Sequence, residues 1–500
     1  MRRKKLTKNI ISSFVFQIST ILCGFILPRL ILQSFGSEVN GLVNSIVQFL
    51  SVISFLQLGV GAVIQSSLYR PLTNKDNQEI SKIVASAEKF FRLLAKILLA
   101  YIIVLIFVYP IIAKQNFGFL YTATLIATIS ISSFAEYYFG IVYRLLLNAD
   151  QRGYISINTQ TITLLLNTVA CFLLIKFGAS IQVVKLATSL IFLIRPAVLV
   201  WYVRRHYSLN RKIKYEEEPI KQKWNGVAQH VATVVLDGTD SIVLTIFASL
   251  SAVSIYSVYV FVTKALKQLL LSMADNILSV LGELWARQEL ETLDKMFAWT
   301  EWVIHTGTTY LFGCATILIV PFVKVYTSGI NDANYIQPLF AVLITSANAL
   351  HCLKLPYHIM IKASGHYKET QSNHIVAAIL NIVISILMVY RFGLIGVAIG
   401  TLTAMLYQTL WIAIYISNNL IKWPIKKIIK QFAVDIITVV IMVMMTNWVS
   451  LDSISYLSWF SMAIKTSAIS IIVVVLINFM FYHDMIREFS QILKKKGRNA

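Results

Sequence analysis

Fourteen stretches of this 500-residue chain are each long and apolar enough to be a membrane-crossing helix. They run over about 10–32, 40–67, 94–113, 119–143, 154–175, 181–203, 225–248, 252–274, 299–323, 335–356, 371–390, 394–417, 432–450 and 458–482. In hydrocarbon every backbone N–H and C=O must be satisfied internally, and unbroken apolar runs of this length do so as helices. The expected fold is an all-α integral membrane protein of about fourteen transmembrane helices. Composition agrees: 57% of residues are hydrophobic and 13% charged, against about 25% charged in a soluble domain. Cys23, Cys171, Cys314 and Cys352 stand alone inside apolar spans, so neither a disulfide framework nor a zinc site is expected, and no cofactor is called for. The MRRKK start resembles a signal-peptide head, but the run after it is too long for one and carries no cleavage-site pattern, so it reads as an uncleaved first span.

The formal net charge of +21 would suit a nucleic-acid partner, but the placement of the basic residues excludes one. Only Lys114, Lys176, Lys324 and Arg391 fall in one set of loops. Arg29, Lys185, Arg195, Lys264, Lys267, Lys354 and Lys465 fall within spans, and the rest of the 44 lie in the other loops and the two termini. That asymmetry is the positive-inside pattern and puts both termini in the cytoplasm of a plasma membrane. The loops on the opposite side are too short for a folded domain.

The longest hydrophilic break, Arg204 to Trp224, separates two sets of six spans. Residues 1–206 are expected to form an N-terminal six-helix lobe, 207–224 a cytoplasmic linker and 225–417 a C-terminal six-helix lobe. A loop at 418–431, an additional helix pair at 432–482 and a basic tail at 483–500 follow. A repeat supports the division. Asn148-Ala149-Asp150-Gln151-Arg152-Gly153-Tyr154 opens a span that contains Asn167 and ends at Phe177-Gly178. Lys362-Ala363-Ser364-Gly365-His366-Tyr367 opens another that contains Asn381 and ends at Phe392-Gly393. Copies with an even number of spans insert the same way up, related by a pseudo-twofold along the membrane normal.

The hairpin from Asn225 to Asn276 carries the costliest residues. Its first arm holds Asp237 and Asp240, and its second holds Lys264 and Lys267. Counting from the turn at Ala248–Ser251, Asp237 and Lys264 lie at a depth of about 18 Å, near the bilayer centre. Each such charge costs roughly 2.5–3.5 kcal/mol and persists when it pairs, faces water or functions. The hairpin is therefore expected to face a central aqueous cavity.

Several segments in order resemble one family: Leu27-Pro28-Arg29, then Phe35-Gly36-Ser37-Glu38-Val39-Asn40-Gly41, Ala149-Asp150-Gln151-Arg152, Asp240-Ser241-Ile242-Val243-Leu244 and Ile255-Tyr256-Ser257. The chain looks like the polysaccharide-transporter branch of the multidrug/oligosaccharidyl-lipid/polysaccharide exporter superfamily, which contains the O-antigen, capsule and exopolysaccharide flippases. The resemblance implies a secondary transporter, not an enzyme. It would move undecaprenyl-diphosphate-linked oligosaccharide repeat units from the cytoplasmic to the outer leaflet of the bacterial plasma membrane by alternating access. Membrane lipids, polysaccharide polymerase and chain-length proteins would be partners. The added helix pair would help form a lipid groove, by analogy with a peptidoglycan-precursor flippase.

A diphosphate cargo calls for Arg or Lys in a low-dielectric cavity. Lys264 is too deep to snorkel and is expected to face the cavity, with Lys267 one turn away. Arg29, near an outer end, either snorkels or faces it, and Arg195, beside Pro196, is equally open. Lys185 and Lys465 lie close to outer ends and are expected to snorkel, and Lys354 reads as an inner-end anchor. Asn44 and Gln48 share a helical face and suit a glycan, although helix–helix hydrogen bonding is the plainer role. Asp237 and Asp240 share a face too; they either hold Lys264 in a structural pair or exchange a proton or sodium ion. Glu136 is a further coupling candidate, with Arg144 expected to lie too far away to pair. Glu301 and His305, four residues apart, read as a local hydrogen-bonded pair. Asp435 reads as an exposed acid near a span end, and His351, His358 and His374 read as scattered structural residues. The nearest alternative function is a multidrug or cation antiporter of the same superfamily. A membrane-embedded polymerase or ligase is disfavoured by the short outer loops, and a passive scaffold leaves the intramembrane charges unexplained.

Overall fold

The computed structural model describes residues 2–52, 55–112, 117–210, 213, 215, 218–220, 238–421, 423–485 and 487. Among the described residues all regular structure is helical. In chain order the helices are α1 (Arg2–Ser51), α2 (Phe55–Asn74), α3 (Asn77–Ile112), α4 (Phe119–Ala135), α5 (Ile141–Ala149), α6 (Gly153–Lys176) and α7 (Ile181–His206). Then come α8 (Gly238–Phe247), α9 (Leu250–Ala286), α10 (Leu290–Tyr326), α11 (Pro338–Leu353), α12 (Leu355–Ser364), α13 (Tyr367–Phe392), α14 (Leu394–Asn419), α15 (Ile425–Thr446) and α16 (Tyr456–Phe481). Twelve helices among the described residues are long and apolar enough to cross a membrane, which makes this a multi-pass membrane protein.

Two of the fourteen expected spans are not among those twelve. The 40–67 stretch is divided between the end of α1 and α2, and residues 53–54 lie outside the described part. Of 225–248 only α8 is described, so Asp237 also lies outside it. The break expected after the first span is a kink inside α1, at Gly36, whose φ of 82° suits a residue without Cβ. Polar side chains close several helix starts. Asp76 Oδ1 accepts from Gln78 N and Glu79 N at 3.1 and 3.0 Å ahead of α3, and Ser455 caps α16 by accepting from Ser458 N at 3.2 Å.

The chain divides into two compact units, Met1–Ser254 and Ile255–Ala500. In unit 1, α6 packs on α1 and α7, and α7 packs on α4. The apolar core gathers Leu42, Ile46, Leu68, Leu94 and Tyr109. Hydrogen bonds thread that core: Tyr109 OH donates to Ser45 Oγ at 2.7 Å, Ser45 meets Thr245 at 2.6 Å, and Asn40 Nδ2 donates to Ser254 Oγ at 2.7 Å. At the end of the unit where α5 turns into α6, Asp150 gathers three partners. Lys5 Nζ and Arg152 Nε lie 3.0 and 2.8 Å from its carboxylate, and Tyr207 OH donates to it at 2.6 Å. The start of α1 is thereby fastened to the α5–α6 turn and the end of α7. Burial, reinforced by the Asp150 carboxylate, pushes the Tyr207 phenol well above its ordinary value.

In unit 2, α13 and α14 form the tightest pair. Gly396 and Gly400, one turn apart on α14, lie against the α13 backbone. A Cβ on Gly396 would stand 2.7 Å from Val389 N, and one on Gly400 would stand 2.8 Å from Ser385 N. Small residues at this spacing let membrane helices approach backbone to backbone. Helices α15 and α16 are fastened to α10: Trp302 Nε1 donates to Asn478 Oδ1 at 2.7 Å, and Tyr310 OH meets Ser467 Oγ at 2.6 Å. The repeated segments are alike locally. In each, a short helix ends in a turn with a positive-φ residue, Gln151 (57°) or Gly365 (78°). A long helix follows and closes at Phe177-Gly178 or Phe392-Gly393. Large apolar side chains such as Leu120 and Leu457 remain exposed on the helix surfaces, as in a chain solvated by lipid.

Candidate functional site

Unit 1 holds an open-mouthed cavity of about 610 Å³ lined by α1, α4, α5, α6 and α7. Its charged lining is Glu136, Arg144, Lys185 and Arg195, three cations to one carboxylate. Hydroxyls and amides, among them Ser132, Ser133, Gln160 and Asn167, supply much of the rest. Glu136 opens a π-helical turn, Glu136–Gly140, that interrupts the helix between α4 and α5. Ile141 N bonds back to the Glu136 carbonyl, one residue farther than in an α-helix. Glu136 runs toward Gly140: a Cβ there would stand 2.6 Å from Oε2, so a side chain at 140 would occupy the carboxylate's place. Arg144 reaches back from the next turn and its Nη1 lies 3.0 Å from Glu136 Oε1. The sequence reading held these two residues too far apart to pair. The absence of a side chain at Gly140 and the length of the arginine side chain correct that.

Arg195 enters the cavity from α7. Its Nε donates to Thr163 Oγ1 at 2.8 Å, and its guanidinium lies 3.7 Å over the Phe192 ring. These contacts fix the plane of the guanidinium. Lys185, expected to snorkel, instead lines the same cavity, three residues before Thr188 on α7. The arrangement can bind an anion of more than one charge beside a hydroxylated group, and it holds one carboxylate able to exchange a cation.

The other sequence candidates lie elsewhere. Arg29, Asn44 and Gln48 sit half-buried on α1 outside this lining. Asn44 Nδ2 donates to the Asn40 carbonyl at 2.9 Å, and Gln48 Nε2 donates to Ser51 Oγ at 2.9 Å. Asp240 is buried on α8 in unit 1. Lys264 is exposed and Lys267 half-buried on the part of α9 that belongs to unit 2. The exposed Lys465 fits a snorkelling residue.

Unit 2 holds two buried polar clusters that sequence reasoning left unassembled. In one, Lys354 is 3% exposed, bonds Gln408 Oε1 and is no surface anchor. Gln408 in turn bonds His374 Nδ1 at 3.0 Å, and the His358 ring lies 5.4 Å from that of His374. In the other, Asp435 is 5% exposed, so its expected exposure is overturned. His305 Nδ1 lies 2.6 Å from Asp435 Oδ2 instead of bonding Glu301. Glu301 accepts from Tyr357 OH at 2.6 Å and from Trp423 Nε1 at 3.1 Å. No group of His, Cys, Asp and Glu among the described residues has the geometry to hold a metal ion.

No protein-family model matches the sequence, and no curated protein matches it. Solved structures match over most of the chain. A lipid II flippase, MurJ, in an inward closed conformation is 15% identical, covers 95% of this chain and 100% of its own, and gives a TM-score of 0.72. An inward-facing multidrug-resistance MATE transporter of the MOP superfamily is 15% identical, covers 80% of this chain and 94% of its own, and gives 0.61. A MOP-superfamily transporter from Pyrococcus furiosus, described as having a binding pocket of reverse polarity, is 15% identical, covers 83% and 96%, and gives 0.56. At these identities the likeness is one of fold: the chain has the architecture of the MOP transporters and flippases.

Proposed function

We propose that this chain is a flippase that carries undecaprenyl-diphosphate-linked oligosaccharide repeat units across the bacterial plasma membrane for surface-polysaccharide synthesis. The observation that carries the reading is the unit 1 cavity, in which three cations outnumber one carboxylate on a lining rich in hydroxyls and amides. A diphosphate is a compact multivalent anion, and Arg195, held flat by Thr163 and Phe192, offers it a bidentate fork. The hydroxyls and amides suit sugar hydroxyls, and the isoprenoid tail would remain in lipid. The fold likeness to a flippase of a lipid-linked precursor over 95% of the chain supports this class of cargo. Lobes at 1–206 and 225–417, joined by the 207–224 linker, would alternate access with both termini cytoplasmic. The polymerase and chain-length proteins would then receive the repeat unit. Glu136 would serve the coupling ion, a proton or sodium, whose arrival releases Arg144 for the diphosphate.

A second reading, cation-coupled export of drugs, draws on the likeness to MATE transporters and on the carboxylate in the cavity. One experiment separates them. Cells depleted of the protein are complemented with wild type or R195A, and the leaflet location of undecaprenyl-diphosphate glycan is determined along with drug tolerance. Flipping requires glycan to accumulate in the cytoplasmic leaflet and wild type, not R195A, to clear it. Unchanged glycan with altered drug tolerance overturns the flippase reading in favour of the antiporter.

A further inference from the structure

The side-chain cluster at the junction of α10, α12 and α15 holds more acid than its surroundings suit. Glu301 and His305 come from α10, Asp435 from α15, Tyr357 from α12, and Trp423 from the turn before α15. Every hydrogen bond recorded at Asp435 is one that it can accept as an ionised carboxylate: His305 Nδ1 at 2.6 Å on Oδ2, Thr309 Oγ1 at 3.0 Å and Gln431 Nε2 at 3.1 Å on Oδ1. Glu301 likewise accepts on both oxygens. With a neutral imidazole the three groups carry two negative charges, with an imidazolium one, and with a proton on Glu301 as well, none. Buried net charge is expensive, whereas a proton needs no coordination shell and its uptake removes the cost.

We propose that Glu301, His305 and Asp435 form a proton-binding site within unit 2, with the exchangeable proton held on the imidazole. All three are buried, the imidazole 0% exposed and Glu301 and Asp435 4% and 5%. In the neutral ring Nδ1–H donates to ionised Asp435 across the 2.6 Å contact, so an arriving proton bonds to the lone pair of Nε2 and makes the imidazolium; on release the Nε2–H bond breaks and Asp435 keeps its hydrogen bond from Nδ1. His305 Nε2 is buried and makes no hydrogen bond among the described residues, so it is the ring nitrogen open to a proton. Among the described residues, the titratable and charged groups recorded beside the site lie on α12, α15 and the segment after α16. Tyr357 faces Glu301 from α12, and Tyr482, beyond α16, acts on both carboxylates. Lys427 lies 4.2 Å over the Trp423 ring, and Lys430 lies 4.8 Å over that of Tyr482. Because Asp435 is contributed by α15 and two of its three partners, His305 and Thr309, by α10, the protonation state sets how firmly the α15–α16 pair is held. The site is separate from the unit 1 cavity and stands whether or not the cargo is a lipid-linked glycan.

The test uses the full chain in lipid nanodiscs with ¹⁵N-histidine, and the imidazole signals are followed from pH 5.5 to 9. His305 is assigned by its loss in H305Q or, where that variant does not fold, by its contact with the Phe432 ring, 5.2 Å between centroids. The expected result is conversion between imidazolium and neutral ring within this range, with the midpoint lower by about one pH unit in E301Q, which removes a neighbouring negative charge. A His305 signal that stays in one form throughout, in wild type and E301Q alike, marks a permanent structural pair and overturns the proposal. No cargo is needed, so failure here leaves the flippase reading to its own experiment.

Discussion

Replacing Gly140 by alanine tests the geometry of the cavity's ion pair through a change of sign. The added methyl carbon would stand 2.6 Å from Glu136 Oε2, and the three atoms nearest to it all belong to Glu136. Ordinary contact begins at 3.4 Å, so the carboxylate must retreat by about 0.8 Å, a shift that a flexible side chain makes without disturbing the helix. Moving that far along the pair axis takes the 3.0 Å contact with Arg144 past hydrogen-bonding distance. A charge-assisted hydrogen bond contributes roughly 1.5–3 kcal/mol. Because Glu136 and Arg144 are 25% and 28% exposed, the lower figure applies. Against this, alanine is favoured over glycine in a helix by about 0.8–1.0 kcal/mol. G140A should therefore destabilise the protein by about 0.5 kcal/mol. In an E136A background, where no carboxylate is displaced, the same change should stabilise it by about 0.8–1.0 kcal/mol. The coupling between the two sites, about 1.5 kcal/mol, is read from equilibrium unfolding of the four proteins in SDS mixed micelles. Equal stabilisation by G140A in both backgrounds refutes the placement of the carboxylate over Gly140.

Three further perturbations follow from other parts of the molecule. R195K keeps the charge but cannot both bond Thr163 and lie flat on Phe192; clearance of cytoplasmic-leaflet glycan should fall about tenfold, as for one lost charge-assisted bond, and full retention means that charge alone suffices. Tyr207 has a raised folded-state pKa, so above about pH 10 the unfolded chain releases its phenolic proton while the folded chain keeps it. The Tyr207 contribution is therefore fully present below that pH and is lost as pH rises toward the folded value. Unfolding titrations between pH 9.5 and 11 should show a downward slope that Y207F flattens. G400A drives a methyl carbon to 2.8 Å from Ser385 N on α13, where backbone cannot yield as Glu136 can; it should cost about 1–3 kcal/mol and lower the thermal midpoint.

The fold class could be read from sequence because lipid imposes it: a chain with these apolar runs has helices as its one economical solution. The repeat could be read because its turns need particular residues, with Gly365 at positive φ and Gly178 and Gly393 closing the long helices. The site was legible in part. Arg195 and Glu136 stood out as charges inside apolar spans, and both line the unit 1 cavity. Arg144 was passed over because a regular α-helix was assumed, and nothing in EYYFG announces a π turn. The Gly140 that clears the carboxylate's path was the available signal. Asp435 and Lys354 were judged by distance from a span end, but burial is set by neighbouring helices. His305 and Asp435 are 130 residues apart, and only packing brings them together. Asn44 and Gln48 share a helical face; each makes a hydrogen bond within α1, and neither lines the unit 1 cavity.

Helix α12 carries Lys354 just ahead of its first residue and Tyr357 three positions on, and the two side chains serve different buried clusters, Gln408 on one side and Glu301 on the other. The segment is thus a keyed register. One residue inserted between them would turn Tyr357 by about 100° about the helix axis while leaving Lys354 in place, so the two networks could not both be made. Changes of side chain at 355 or 356 keep the key; changes of length do not. Over evolutionary time, insertions and deletions should collect in the loops of unit 2 and be purged from 354–357.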